Sequence, residues 1–79
     1  MSEGEDIKTT TAGSVEEVLP NSLFRVRIPA QEEGGEGELV LAYLAGKMRL
    51  HRIRVLMGDQ VDMVLDPYGG RARIVRRLT

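Results

Sequence analysis

The 79 residues include no cysteine and no tryptophan, and only one histidine, one phenylalanine and two tyrosines. Without cysteine, neither a disulfide nor a thiolate zinc site can hold the chain together. That composition suits a reducing compartment. No apolar run approaches the roughly 20 residues that a membrane-spanning helix needs. The first residues, MSEGEDIKTTTAG, are acidic and lack the apolar segment of a signal peptide. The length suits one domain with one small core. These absences point to a soluble cytoplasmic domain with no membrane contact.

Catalytic equipment is equally scarce. Serine occurs only at Ser2, Ser14 and Ser22. No glycine-rich phosphate loop and no zinc spacing is present. Nucleophilic or acid–base chemistry needs a reactive group held by a base and an orienting partner. Nothing here supplies that set. The expectation is no enzyme, no cofactor and no metal.

Charge is what the chain does have, and it is unevenly placed. The formal net charge is −1. The first forty residues carry three cations against nine acids, and the rest carry eight cations against three acids. Such a polar small domain can turn one face toward a polyanion and stay soluble.

Most of the chain reads as short strands. Residues 1–12 are polar and aperiodic, as in a flexible acidic tail. From Gly13 the pattern has period two, with Val15, Glu17 and Leu19 alternating against Ser14, Glu16 and Val18. Pro20-Asn21-Ser22 marks a turn. Leu23 to Ile28 alternates cleanly, with Phe24, Val26 and Ile28 on one face and Leu23, Arg25 and Arg27 on the other. Phe24 belongs to the core.

Pro29 to Glu38 is a loop rich in glutamate and glycine, the tip of a hairpin. Its acids lack calcium-loop spacing, so it reads as a solvated loop. Leu39 to Leu44 is a strand apolar on both sides. Gln60 to Leu65 alternates with Val61, Met63 and Leu65 inward. Asp66-Pro67-Tyr68-Gly69-Gly70 is a second turn, and Arg71 to Leu78 a last strand with Ala72, Ile74 or Val75 inward. Tyr68 is either a base-stacking residue or a turn residue packed on the barrel end, and the turn reading is preferred.

Between the third and fourth strands stands Leu44 to Asp59, LAGKMRLHRIRVLMGD. Lys47, Arg49, Arg52 and Arg54 put four fixed cations into eight positions, with His51 among them. Met48, Leu50, Ile53, Val55 and Leu56 are interleaved. The pattern predicts a short helical turn anchored by its apolar side, with the basic side projecting as a cluster for phosphate. A solvated charged face is the bland alternative. Met48 is either an apolar wedge against a base or a core plug. His51 reads as an exposed residue within reach of RNA rather than a catalyst.

Five short strands with one helical turn between the third and fourth are the signature of an OB-fold, an all-β five-stranded Greek-key barrel. Such barrels bind nucleic acid on the face of strands two and three, near which Arg25, Arg27 and Tyr43 would fall. Residues 13–79 would form this domain.

Several segments resemble the bacterial translation initiation factor 1 family, an S1-like OB-fold. They are Leu19-Pro20-Asn21-Ser22-Leu23-Phe24-Arg25-Val26, Gly46-Lys47-Met48-Arg49, Ile53-Arg54-Val55-Leu56, Gly58-Asp59-Gln60-Val61 and Pro67-Tyr68. They keep order and near-matching spacing over most of Gly13 to Val75. The resemblance implies a monomeric, non-catalytic factor that binds the small ribosomal subunit (16S rRNA and nearby ribosomal proteins) at the aminoacyl-tRNA site. It also implies cooperation with the other initiation factors. The residues carried over are Lys47, Met48, Arg49 and Arg54, with Arg71, Arg73 and Arg25 beside them.

The chain departs from the family pattern in four places. The tight hairpin between strands two and three is replaced by the longer Pro29 to Glu38 loop. Arg52 and Arg76 stand where aromatics are usual. The segment after Pro67-Tyr68 is shortened to Gly69-Gly70-Arg71-Ala72. Trading aromatics for arginines shifts the surface toward phosphate, although arginine also stacks on bases. The RNA surface expected is therefore Arg25, Tyr43, Lys47, Met48, Arg49, His51, Arg52, Arg54, Arg71 and Arg73.

Two rival readings stand beside this one. A cold-shock-like RNA chaperone would rely on aromatic stacking, and the chain has few aromatics. A protein-interaction module would use the acidic loop on a basic partner.

Overall fold

A computed structural model describes residues 10–30 and 34–79. It contains strands β1 (Thr11–Leu19), β2 (Leu23–Ile28), β3 (Glu38–Leu44), β4 (Gln60–Val64) and β5 (Ala72–Arg77), with helix α1 (Gly46–Leu50) between β3 and β4. The strands close into a barrel in the order β1-β2-β3-β5-β4. All pairs are antiparallel except β3 with β5, which run parallel. The last strand thus inserts between the third and fourth. This is the expected five-stranded OB barrel with its helical turn in the expected place.

The alternation of small and branched residues sets which side chains meet inside. Val15, Phe24, Val26, Ala42, Val61, Met63, Ala72 and Ile74 fill the barrel, and Ile28, Val40 and Leu44 pack against them. Each of the larger buried side chains, from valine upward, contributes about 1.5–3 kcal/mol from lost water contact. Gly13 is required by close approach. A Cβ there would lie 2.7 Å from Val26 Cγ1 and 2.8 Å from the Arg27 carbonyl oxygen. Only glycine lets β1 press so tightly on β2.

The period-two reading of the first strand fails at its middle. The register runs Val15↔Val26, then Glu17↔Arg25, so Glu16 is an extra residue on β1. This β-bulge turns both Glu16 and Glu17 to the outside, where strict alternation puts Glu17 beside Val15. A second irregularity leaves Val75 unpaired between Met63↔Ile74 and Asp62↔Arg76. Alternation from Ala72 puts Ile74 inward, and the irregularity after it keeps Arg76, next in phase, on the outside.

Other boundaries shift slightly. β1 begins at Thr11, so Thr11 and Ala12, assigned to the tail, pair with Met63 and Asp62. Residues 1–9 of that tail, and Gln31 to Glu33 of the acidic loop, lie outside the described residues. β4 stops at Val64, which leaves Leu65 exposed rather than inward.

The turns are held by short-range hydrogen bonds. At Pro20 to Ser22, both Asn21 and Ser22 have positive φ (68° and 61°), which closes a tight connection under the Leu19↔Leu23 pair. Asp66 organises the second turn. Its carboxylate accepts the Tyr68 and Gly70 N–H groups at 3.0 Å each, and its carbonyl accepts the Gly69 N–H at 3.0 Å.

Candidate nucleic-acid interface

The basic segment is built on α1 and the loop that follows it. Gly46 to Leu50 is only five residues long, barely more than one turn. One turn buries one side chain, and that residue is Met48, 2% exposed. Val55 is the second anchor. Of the two readings of Met48, the structure shows the core plug. The wider apolar anchoring fails, because Leu50 is 77% exposed and Ile53 and Leu56 are also exposed. A helix this short has no second inward position to offer them.

The helix ends in a fixed geometry. The Arg52 N–H bonds to the Arg49 carbonyl at 3.1 Å and the Ile53 N–H to the Met48 carbonyl at 3.0 Å. These are the two bonds of a Schellman cap, which needs a left-handed residue between helix and exit. Arg52 is that residue, with φ 55°. Glycine usually fills this place, and an L side chain there costs about 1–2 kcal/mol.

Beyond the cap, the Arg54 carbonyl accepts a hydrogen bond from Arg77 Nη1 at 2.9 Å. The loop is then tied to β1 by Gly58 N–H to the Val15 carbonyl (2.8 Å) and Val15 N–H to the Asp59 carbonyl (2.9 Å). The backbone carrying the cations is thus pinned at both ends.

The arginines divide by partner. On the outer face of β1 and β2, Arg25 donates to Glu17 at 2.8 Å, and Arg27 forks onto Glu16 at 3.0 and 3.3 Å. Arg76 pairs with Asp62 at 3.0 Å. The Arg27 hydrogen bond holds the Glu16 carboxyl below its ordinary pKa, and the same bond raises that of Arg27. In contrast, Lys47, Arg49, Arg52, Arg54, Arg71 and Arg73 have no carboxylate at ion-pairing distance among the described residues. All six are exposed, as is His51 at the helix C-cap.

The expected exposed site residues fall into four places. Lys47, Arg49, His51, Arg52 and Arg54 come together on α1 and its exit. Tyr43 and Arg73 are direct partners in the parallel β3–β5 pair, and the neighbouring Ala45 N–H to Ile74 carbonyl bond (2.9 Å) joins this pair to the start of α1. Arg71 immediately precedes β5, beside the first half of β3. Arg25 lies apart, neutralised by Glu17.

Tyr68 does not pack on the barrel end as the preferred turn reading has it. It packs on nothing, being 93% exposed at the tip of the Asp66 turn. Among the described residues no group of His, Cys, Asp and Glu could hold a metal ion, and no helix is long and apolar enough to cross a membrane.

Solved structures share this barrel, among them the three that follow. Translation initiation factor 1 from the Wolbachia endosymbiont strain TRS of Brugia malayi is 28% identical, with a TM-score of 0.67 over 100% of this chain and 90% of that one. YjeQ from Thermotoga maritima is 25% identical, with a TM-score of 0.69 over 90% of this chain and 23% of that one. YloQ, a circularly permuted GTPase, is 13% identical, with a TM-score of 0.71 over 99% of this chain and 25% of that one. The chain therefore spans about a quarter of the two larger proteins, and YloQ shows the fold alone. The model of the translation initiation factor 1A / IF-1 family matches residues 3–79, the whole of the barrel described above. By that match the chain belongs to the translation initiation factor 1A / IF-1 family.

Proposed function

We propose that the protein, as a non-catalytic monomer in the cytoplasm, binds the small ribosomal subunit at the aminoacyl-tRNA site. It occludes that site during initiation and acts with the other initiation factors. One observation carries this reading. The exposed cations on α1 and its exit have no carboxylate partner among the described residues, whereas the arginines of the β1–β2 face each have one. Unpaired, pinned cations suit the phosphates and 2′-hydroxyls of ribosomal RNA. Arg49, Arg52 and Arg54 fork onto phosphates or lie flat on a base, and Lys47 supplies a point charge. Tyr43, with Arg73 opposite it, offers a stacking surface beside them.

The test is binding of labelled protein to purified small subunits across a salt series. Wild type is expected to bind with a steep salt slope. Arg49→Ala/Arg54→Ala should weaken binding roughly a hundredfold and lower the slope by about 1.5. Binding of arbitrary single-stranded RNA without binding of subunits would replace this reading by that of an RNA chaperone.

A further inference from the structure

The barrel is incompletely sewn between β3 and β5. On its β2 side, β3 is paired from Ile28↔Glu38 to Leu23↔Tyr43. On its β5 side, pairing begins only at Ala42↔Ala72. Glu38 to Leu41 therefore have one edge with no ladder partner among the described residues. β5 cannot extend to meet it, because Gly69 and Gly70 are drawn into the turn that Asp66 holds.

Between the two lies a groove of about 330 Å³, with Glu38 to Leu41 on one wall and Gly69 to Arg71 on the other. It runs on into a recess of about 100 Å³ beside Leu65 and Asp66. Two of the three residues on the far wall are glycines, so little side chain blocks the open edge. Leu39 is exposed and Leu41 half-buried along it.

These are the conditions for strand addition. Unpaired backbone groups supply affinity, and flanking side chains supply selection. Four residues of edge span about 13 Å, enough for a peptide of similar length. The charge of the groove selects the occupant. Glu38 lines the groove opposite one cation, Arg71, and Asp66 lines the recess beyond it, so the two together carry one more acid than base. A polyanion entering would meet two carboxylates, whereas a basic side chain would be drawn to them. We infer that the groove takes an extended, lysine- or arginine-bearing peptide segment, added to the open edge of β3. The site lies where β3 begins, and α1 follows where β3 ends, so a protein segment here leaves the basic segment free.

Isotope-labelled full-length protein titrated with a blocked hexapeptide of alternating lysine and valine tests this by NMR. The amides of Leu39 and Leu41, which face the open edge, should shift and become protected from exchange. The same peptide with its central valine replaced by proline should lose both effects, because proline cannot complete the ladder. Glu38→Lys should weaken the lysine peptide about fivefold, and a glutamate counterpart should bind wild type several-fold more weakly. Unchanged amides at Leu39 and Leu41 would overturn the inference. So would a hexauridylate that moves the same amides more strongly than the peptide, since the groove would then be a nucleic-acid site.

Discussion

Two sets of arginines sit on one small barrel under opposite rules. On β1 and β2, Arg25 and Arg27 each face a carboxylate across the strand pair, and the face is electrically quiet. On α1 and its exit, four fixed cations within eight positions have no such partner among the described residues. The difference is one of scaffold as much as of composition. A sheet offers a cross-strand neighbour to every outward residue, and the Glu16 bulge brings two glutamates to the same side. A one-turn helix and its loop offer none, so their charge stays available. The net charge of −1 conceals both facts.

The largest expected effect comes from removing the plug that fixes the unpaired set. Met48→Ala should cost about 2–5 kcal/mol of stability, read as a fall in denaturant midpoint. The paired set should break only when the whole barrel unfolds, because it does not rest on α1. Next, Glu16→Gln/Glu17→Gln should release Arg25 and Arg27 and make the quiet face resemble the other. RNA affinity should rise several-fold and the salt slope should steepen by about one, measured on the same oligonucleotide series. No change would mean that geometry, not pairing, silences that face.

A smaller effect is expected at the helix exit. Arg52→Gly relieves the left-handed strain but frees the unfolded chain, so the net gain should stay below about 1 kcal/mol. Calorimetry should show that gain while subunit binding weakens. Equal binding would remove Arg52 from the unpaired set.

The smallest effect is a pH dependence confined to the paired face. Glu16 has a depressed pKa in the folded state. Its contribution is therefore present above the ordinary glutamate pKa and is lost as pH falls through the depressed one. Wild type and Glu16→Gln should differ slightly near neutrality and converge in acid, by thermal denaturation at matched salt.

Much of this arrangement was legible in the residues. The alternation in Leu23 to Ile28 marks a strand buried on one side, and Phe24 and Val26 are where it puts them. The turn at Asp66 to Gly70 and the helical turn at Gly46 follow from composition. What escaped depends on register. The Glu16 bulge has no local signature, and without it neither ion pair of the β1–β2 face can be placed. The exposure of Leu50 and Leu56 escaped for another reason: apolar residues at helical spacing suggest a buried stripe, but α1 stops after five residues. The exposure of Tyr68 follows from an Asp66 side chain that holds the turn clear of the barrel.

The insertion of β5 between β3 and β4 also orders events in time. Ser14 pairs with Gln60, forty-six positions away, and neither β3 nor β4 has its second neighbour until Ala72 to Arg77 is in place. Such non-local closure is slow relative to hairpin formation. During synthesis, β1, β2 and β3 can meet as a meander while the ribosome still holds the rest. The core that seats Met48 includes Ile74, so the plug cannot lock before the last strand emerges. The nascent chain therefore carries its cations on an unanchored segment, and acquires the pinned surface only once Ala72 to Arg77 is free to join the barrel.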